Sequence, residues 1–211
     1  MISKVKTHFI TSSDKLEDIV LQYVVPKAQK GDIVVLCEKI VSIMQNRIVY
    51  KKDVKLGSAA KFLSKFAKKT PAGFSVGNPY KMQVAINLAG LPRILLASFL
   101  GGVGKIIGFP GTFYRVAGHN ISRIDGFYGK AFKEYNEIGI LACKDGNKVC
   151  QSLKDRFGFS FAIADVNDLG RNIVGRSFDL AGKEKIILQA LKGNPAGQFN
   201  QQTPIIILKA F

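Results

Sequence analysis

Phe159–Ala164 is a nearly unbroken apolar run of strand length behind Gly158, the pattern of a strand covered on both faces. Ile33–Cys37, after the Gly31-Asp32 turn, and Pro204–Lys209 near the end have the same character. Helical signals stand between them. Thr11-Ser12-Ser13-Asp14 offers caps for a helix over Lys15–Val25 that Pro26 ends, and Asn78-Pro79 is a cap and first-turn pair for Lys81–Ala89. Further helices are predicted over Gly57–Lys69, Asp145–Arg156 and Asp179–Leu191. This alternation implies an α+β fold, α/β-like, with a mixed sheet and flanking helices. At 211 residues the chain can form a single domain over 1–211 or two subdomains sharing a sheet. Lys4–Ile10 and Tyr114–Ala117 read as strands, Leu91–Leu100 as helix or strand, Gly101–Gly118 as a glycine-rich lid or connection, and Phe127–Gly139 as an aromatic-rich connection.

The formal charge of +16 concentrates anions: nucleic acid, nucleotides, phosphorylated metabolites or acidic membranes. The basic residues are mostly Lys, spread along the chain without a block or a nucleic-acid-binding signature, so nucleic acid is disfavoured. Lys61, Lys65, Lys68 and Lys69 fall opposite Ala60, Phe62, Leu63, Phe66 and Ala67 and read as the solvated face of a helix. No apolar run reaches a membrane span and no signal peptide opens the chain, which predicts a cytoplasmic protein with no membrane partner. Cys37, Cys143 and Cys150 are odd in number, without CxxC spacing, and are expected to be reduced thiols rather than a disulfide frame or zinc site. Gly101-Gly102-Val103-Gly104-Lys105 lacks the spacing and hydroxyl of a phosphate loop.

The strand ending in Asp165 is followed by Asn167, Asp168, Gly170 and Arg171. Carboxylates, an amide and a cation at a strand's carboxyl end suit a hydrated divalent cation and substrate phosphates. The same residues also suit a plain Asx turn. Glu38-Lys39-Ile40-Val41-Ser42 after the buried strand Ile33–Cys37 reads either as a site or as the place where the strand surfaces. Gly193-Asn194-Pro195-Ala196-Gly197-Gln198 reads as a loop that brings backbone N–H groups to a ligand, or as a helix-to-strand turn.

In this order the pieces resemble the coenzyme F-420 γ-glutamyl ligase family, whose members add glutamate to a phosphorylated deazaflavin with GTP and divalent metal. Gly31-Asp32-Ile33-Val34-Val35 followed by Glu38-Lys39-Ile40-Val41-Ser42 is similar to the family's amino-terminal nucleotide-binding segment. Phe161–Asp165 resembles the strand that carries a metal aspartate, and Asp179–Leu191 with Gly193–Gln198 resembles the helix and glycine loop over the guanine nucleotide. The family's Asp-Thr-Phe-Gly-Arg is here the longer Asp165-Val166-Asn167-Asp168-Leu169-Gly170-Arg171, and its AEGR is Met44-Gln45-Asn46-Arg47. Its AGVDASN segment has two counterparts: Ala117–Ser122, which places Asn120 at the aspartate, and Ile124-Asp125-Gly126, which is favoured.

The resemblance implies a γ-glutamyl ligase-like fold that binds GTP and Mg²⁺ or Mn²⁺, with an anionic small molecule and glutamate as substrates. Asp125 and Asp165 are the implied metal ligands, with Asn120, Asn167 and Asp168 as further candidates. Lys39, Ser42, Arg47, Arg171, Gly193, Asn194, Gly197 and Gln198 are the implied nucleotide contacts, and no catalytic residue is assigned. A nucleotide-binding regulator without turnover and a basic nucleic-acid-binding module are the competing readings. Phe99–Phe113 and Phe127–Tyr135, with five Phe and two Tyr, either cover the protomer's own sheet or form a homodimer contact, as the family implies.

Overall fold

The computed structural model describes residues 1–67, 76–127, 135–167, 170–197 and 201–210. In chain order the elements are β1 (Ile2–Val5), α1 (Leu16–Ile19) running into a π-helical turn over Val20–Val24, β2 (Ile33–Cys37), α2 (Glu38–Met44) and β3 (Ile48–Tyr50). Next come α3 (Ser58–Ser64), α4 (Pro79–Ala89), α5 (Leu91–Ile106), α6 (Thr112–Ala117), α7 (His119–Ser122), β4 (Asp125–Gly126) and β5 (Ile138–Ile140). The chain closes with α8 (Gly146–Phe157), β6 (Ser160–Asn167), β7 (Gly170–Arg176), α9 (Glu184–Ala190) and β8 (Ile205–Leu208). The fold is α+β and divides into two compact units, one of residues 1–47 and 143–211, the other of residues 48–142.

The first unit is built on a five-stranded mixed sheet of order β1-β8-β2-β6-β7. β2 and β6 run parallel at its centre, while β8, β1 and β7 join antiparallel. The central strands are apolar on both faces because helices cover both. Val34, Leu36, Phe161, Ile163, Ile205 and Ile207 pack with Ile40 and Val41 of α2 and with Cys150 and Leu153 of α8. The alternate residues Val35, Ala162, Ala164 and Ile206 pack with Leu180, Ile187 and Leu191. Asp32, in the turn before β2, is buried. It accepts hydrogen bonds from the Gln29 and Ala210 N–H groups and an ion pair from Lys209, which fastens the turn to the carboxyl end of the chain.

Several local expectations need correction. β1 ends at Val5 rather than Ile10. Asp14 does not cap a helix; its carboxylate accepts from Thr11 N–H and closes the turn before Lys15. Asp179 starts no long helix either. It lies in a 3-10 turn over Phe178–Leu180, paired with Lys154, and α9 begins only at Glu184.

In the second unit β3, β5 and β4 form a small antiparallel sheet. Beside it α3 to α7 enclose a core of Ala60, Met82, Ala85, Ile94, Ala97, Ala117 and Ile121. α4 is capped as its sequence dictates: Asn78 Oδ1 accepts from Tyr80 N–H at 2.8 Å, with Pro79 in the first turn. The glycine-rich stretch is not a lid. α5 continues through Gly101, Gly102 and Gly104 to Ile106, and Thr112–Ala117 is the helix α6 rather than a strand. The close approach of α6 explains Gly101 and Gly104. A Cβ on Gly101 would lie 2.9 Å from Phe113 Cβ, and one on Gly104 would lie 2.4 Å from Thr112 Oγ1. α3 also departs from its predicted faces, since Phe62 and Phe66 stack edge-on at 5.0 Å in solvent instead of joining the core.

Candidate functional site

The candidate site of the first unit is built where two parallel strands end side by side. Cys37, the last residue of β2, pairs in register with Ala164 of β6, so Asp165 follows directly beyond that pair. β2 passes into α2 without a loop: Cys37 is extended and Glu38 opens the helix. By the alternation of β6, Asp165 shares a face with Phe161 and Ile163, the face that α2 covers. Lys39, in the first turn of α2, and Asp165 thus flank one strand end, and the charges of both reach the Cys37 thiol. Desolvation pushes that thiol up to about 11, Lys39 opposing the rise and Asp165 adding to it.

One buried contact and one exposed pair of hydrogen bonds hold α2 in place. Cys143 N–H donates to Glu38 Oε1 at 2.9 Å, and Gln45 and Lys144 exchange a pair of 2.8 Å hydrogen bonds. Glu38 is therefore an anchor for the returning chain, not a carboxylate turned to solvent. Ser42 lies on the buried side of the same helix, and its Oγ has no hydrogen-bond partner among the described residues. Arg47, half-buried, follows the left-handed Asn46 and donates its N–H to Ser42 O.

Asp165 is not on a loop. β6 runs on to Asn167 and turns back into β7, so that Asp165 faces Asn172 and Val166 faces the exposed Arg171 across a hairpin. Asp168, Gln198 and the side chain of Asn167 lie outside the described residues. The loop after α9 has left-handed backbone at Gly193, Asn194 and Gly197. Two of its N–H groups are committed within the turn, Asn194 to Leu191 O and Gly197 to Asn194 O. Its form is that of a helix terminus, which limits what its backbone offers a ligand.

Asp125 and Asn120 belong to the second unit. Asp125 is half-buried on β4, opposite Ile140, while Asn120 is exposed on α7 and its Oδ1 accepts from Arg123. Among the described residues no three His, Cys, Asp or Glu side chains gather into a metal cage. A hydrated cation such as Mg²⁺ needs no such cage, since it takes only one or two carboxylates plus substrate phosphate.

Compared with known families, residues 4–108 match the model of the family described as F420-0:Gamma-glutamyl ligase. The match spans β2, α2 and the helices as far as the end of α5, and stops before Asn120, Asp125 and Asp165. Curated proteins give no significant match.

Proposed function

The chain belongs to the F420-0:gamma-glutamyl ligase family, and on that premise we propose that it forms a γ-glutamyl amide on a phosphorylated, anionic acceptor with GTP and a divalent cation. The family indicates γ-glutamyl ligase activity in coenzyme F-420 biosynthesis. What supports the finer reading is one juxtaposition. The strand-to-helix segment Gly31–Ser42, inside the family match, ends beside the strand that carries Asp165.

In this reading the acceptor carboxylate takes the γ-phosphoryl group of GTP to give an acyl phosphate and GDP, and the amine of glutamate then displaces phosphate to form the amide. Triphosphate, acceptor and glutamate bring several anions together, so the protein's task is to neutralise and align them. Lys39 is the cation assigned to the phosphates, with Arg47 and Arg171 as further contacts and Asn194 on the base side. Asp165 would hold the cation, which when bound neutralises phosphate oxygens. The second implied carboxylate, Asp125, belongs to the other unit and is tested on its own by Asp125→Asn.

Titration calorimetry with Mn²⁺ and GTP tests the assignment. Asp165→Asn is expected to abolish metal-dependent GTP binding with the fold intact, because an amide is a poor ligand for a hard cation. Lys39→Ala should weaken GTP binding by about 1.5–3 kcal/mol, the usual range for a charge-assisted hydrogen bond. Unchanged Mn²⁺ affinity in the first variant, or unchanged GTP affinity in the second, removes that residue from the site. A thermal-shift panel of GTP, GDP, ATP and short DNA separates the ligase reading from a nucleic-acid-binding module, since only ligands of the native state raise its apparent stability.

A further inference from the structure

α5 packs with its sides reversed relative to an ordinary surface helix. Its small residues Ala97, Gly101 and Gly104 face inward with Ile94, the two glycines against α6, while its large apolar residues face solvent. Leu95 is 47%, Leu96 53%, Phe99 69% and Ile106 86% exposed. They recur at helical spacing along one stripe. The stripe continues into Ile107 and Phe109, both 61% exposed. A contiguous apolar surface of this length marks an interaction face, not scattered exposure.

The charge around the stripe indicates what covers it. From Val54 to Ile124 the chain contains no Asp or Glu, yet ten Lys and Arg. Arg93 and Lys105 on α5 and Arg115 on the neighbouring α6 are exposed, and Arg93 donates a hydrogen bond to Val116 O of α6. A second copy would present the same acid-free, cationic surface, so pairing through this face sets like charges against one another. An anionic bilayer supplies both missing complements: acyl chains for Leu96, Phe99 and Ile106, and phosphate headgroups for the exposed cations.

We propose that the α5 face of the second unit docks in the plane of an anionic lipid surface, with its apolar stripe in the headgroup–acyl boundary. No single helix among the described residues is long and apolar enough to cross a membrane, but lying on a bilayer needs no span. The inference stands apart from the ligase reading, since it uses none of the residues assigned to nucleotide or metal.

Vesicle co-sedimentation of the full chain tests it, with phosphatidylcholine vesicles compared with vesicles in which about a third of the lipid is phosphatidylglycerol. The protein is expected to pellet with the anionic vesicles at ~0.1 M salt and to be partly released as salt rises. The double variant Phe99→Ser/Ile106→Ser, at two exposed positions that leave the core untouched, should weaken that binding by at least about tenfold, and Lys105→Glu should weaken it while leaving the apolar stripe whole. No binding to the anionic vesicles, equal binding to neutral ones, or undiminished binding by the double variant overturns the proposal. So does a stable dimer, measured by light scattering, that the double variant disperses.

Discussion

Asp32→Asn removes one charge from a buried acceptor that serves three donors. Oδ1 accepts from Ala210 N–H at 2.9 Å, and Oδ2 from Gln29 N–H at 2.8 Å and from Lys209 Nζ at 2.9 Å. An amide in either orientation turns its own NH₂ toward at least one of these donors, and toward two if it replaces Oδ2. An orphaned buried donor costs about 1–3 kcal/mol. Breaking a fully buried ion pair costs about 3–5 kcal/mol, but that value is an upper bound here. The Lys209 side chain is 28% exposed and keeps a hydrogen bond to Lys27 O. A loss of about 2–3 kcal/mol is expected at neutral pH, a fall in melting temperature of roughly 5–10 °C for a chain of this size.

The pH dependence has a definite sign. Burial opposes ionisation of Asp32, but the Gln29 and Ala210 N–H groups and Lys209 outweigh it and hold the carboxyl below its ordinary value of 3.8. The stabilisation is therefore complete above the unfolded value and is lost as pH falls through the lower, folded one. Urea unfolding of both proteins across this range is the assay. A difference below about 0.5 kcal/mol at neutral pH, or one that stays constant down through the acid range, refutes the reasoning.

Gly104→Ala should destabilise the second unit by about 1–3 kcal/mol through overpacking against Thr112. Gly102→Ala, where a Cβ meets nothing within 4 Å, should stabilise α5 by about 0.5–1 kcal/mol; thermal melts that reverse this order would dismiss the packing argument. Burial pushes the Cys150 thiol up to about 12 and desolvation pushes Cys37 up to about 11, so thiol titration of the native protein at about pH 8 should find both slow. In denaturant they should react at once, and rapid native labelling would contradict the burial of Cys150 or the raised thiol of the half-buried Cys37.

Elements whose signals are local were legible in the chain. Ile33–Cys37 is the strand its apolar run predicts, and Asn78-Pro79 starts α4 as cap and first turn. The three cysteines are free, and the apolar strands separated by helices do form a mixed sheet. These follow from burial periodicity and capping chemistry, which neighbouring residues impose on one another. Of the candidate site, the approach of the β2–α2 segment was legible only as two separate motifs. No local signal pairs Cys37 with Ala164 across more than a hundred residues.

What the tertiary structure alone decided are choices between local states of similar energy. Glycine-rich sequence is a weak helix former, yet α5 runs through Gly101 and Gly104 because only a surface without Cβ atoms admits α6. Asp165 lies within a strand because β7 returns to pair with it, although turn chemistry alone would place it in a loop. Glu38 and Ser42 look like residues at a strand's exit, but Cys143 N–H and the core on that face of the sheet draw them inward. The orientation of α5 has the same origin. Its sequence is apolar nearly all round, so composition leaves open which side is buried, and the close contact with α6 turns the small side in and the large side out.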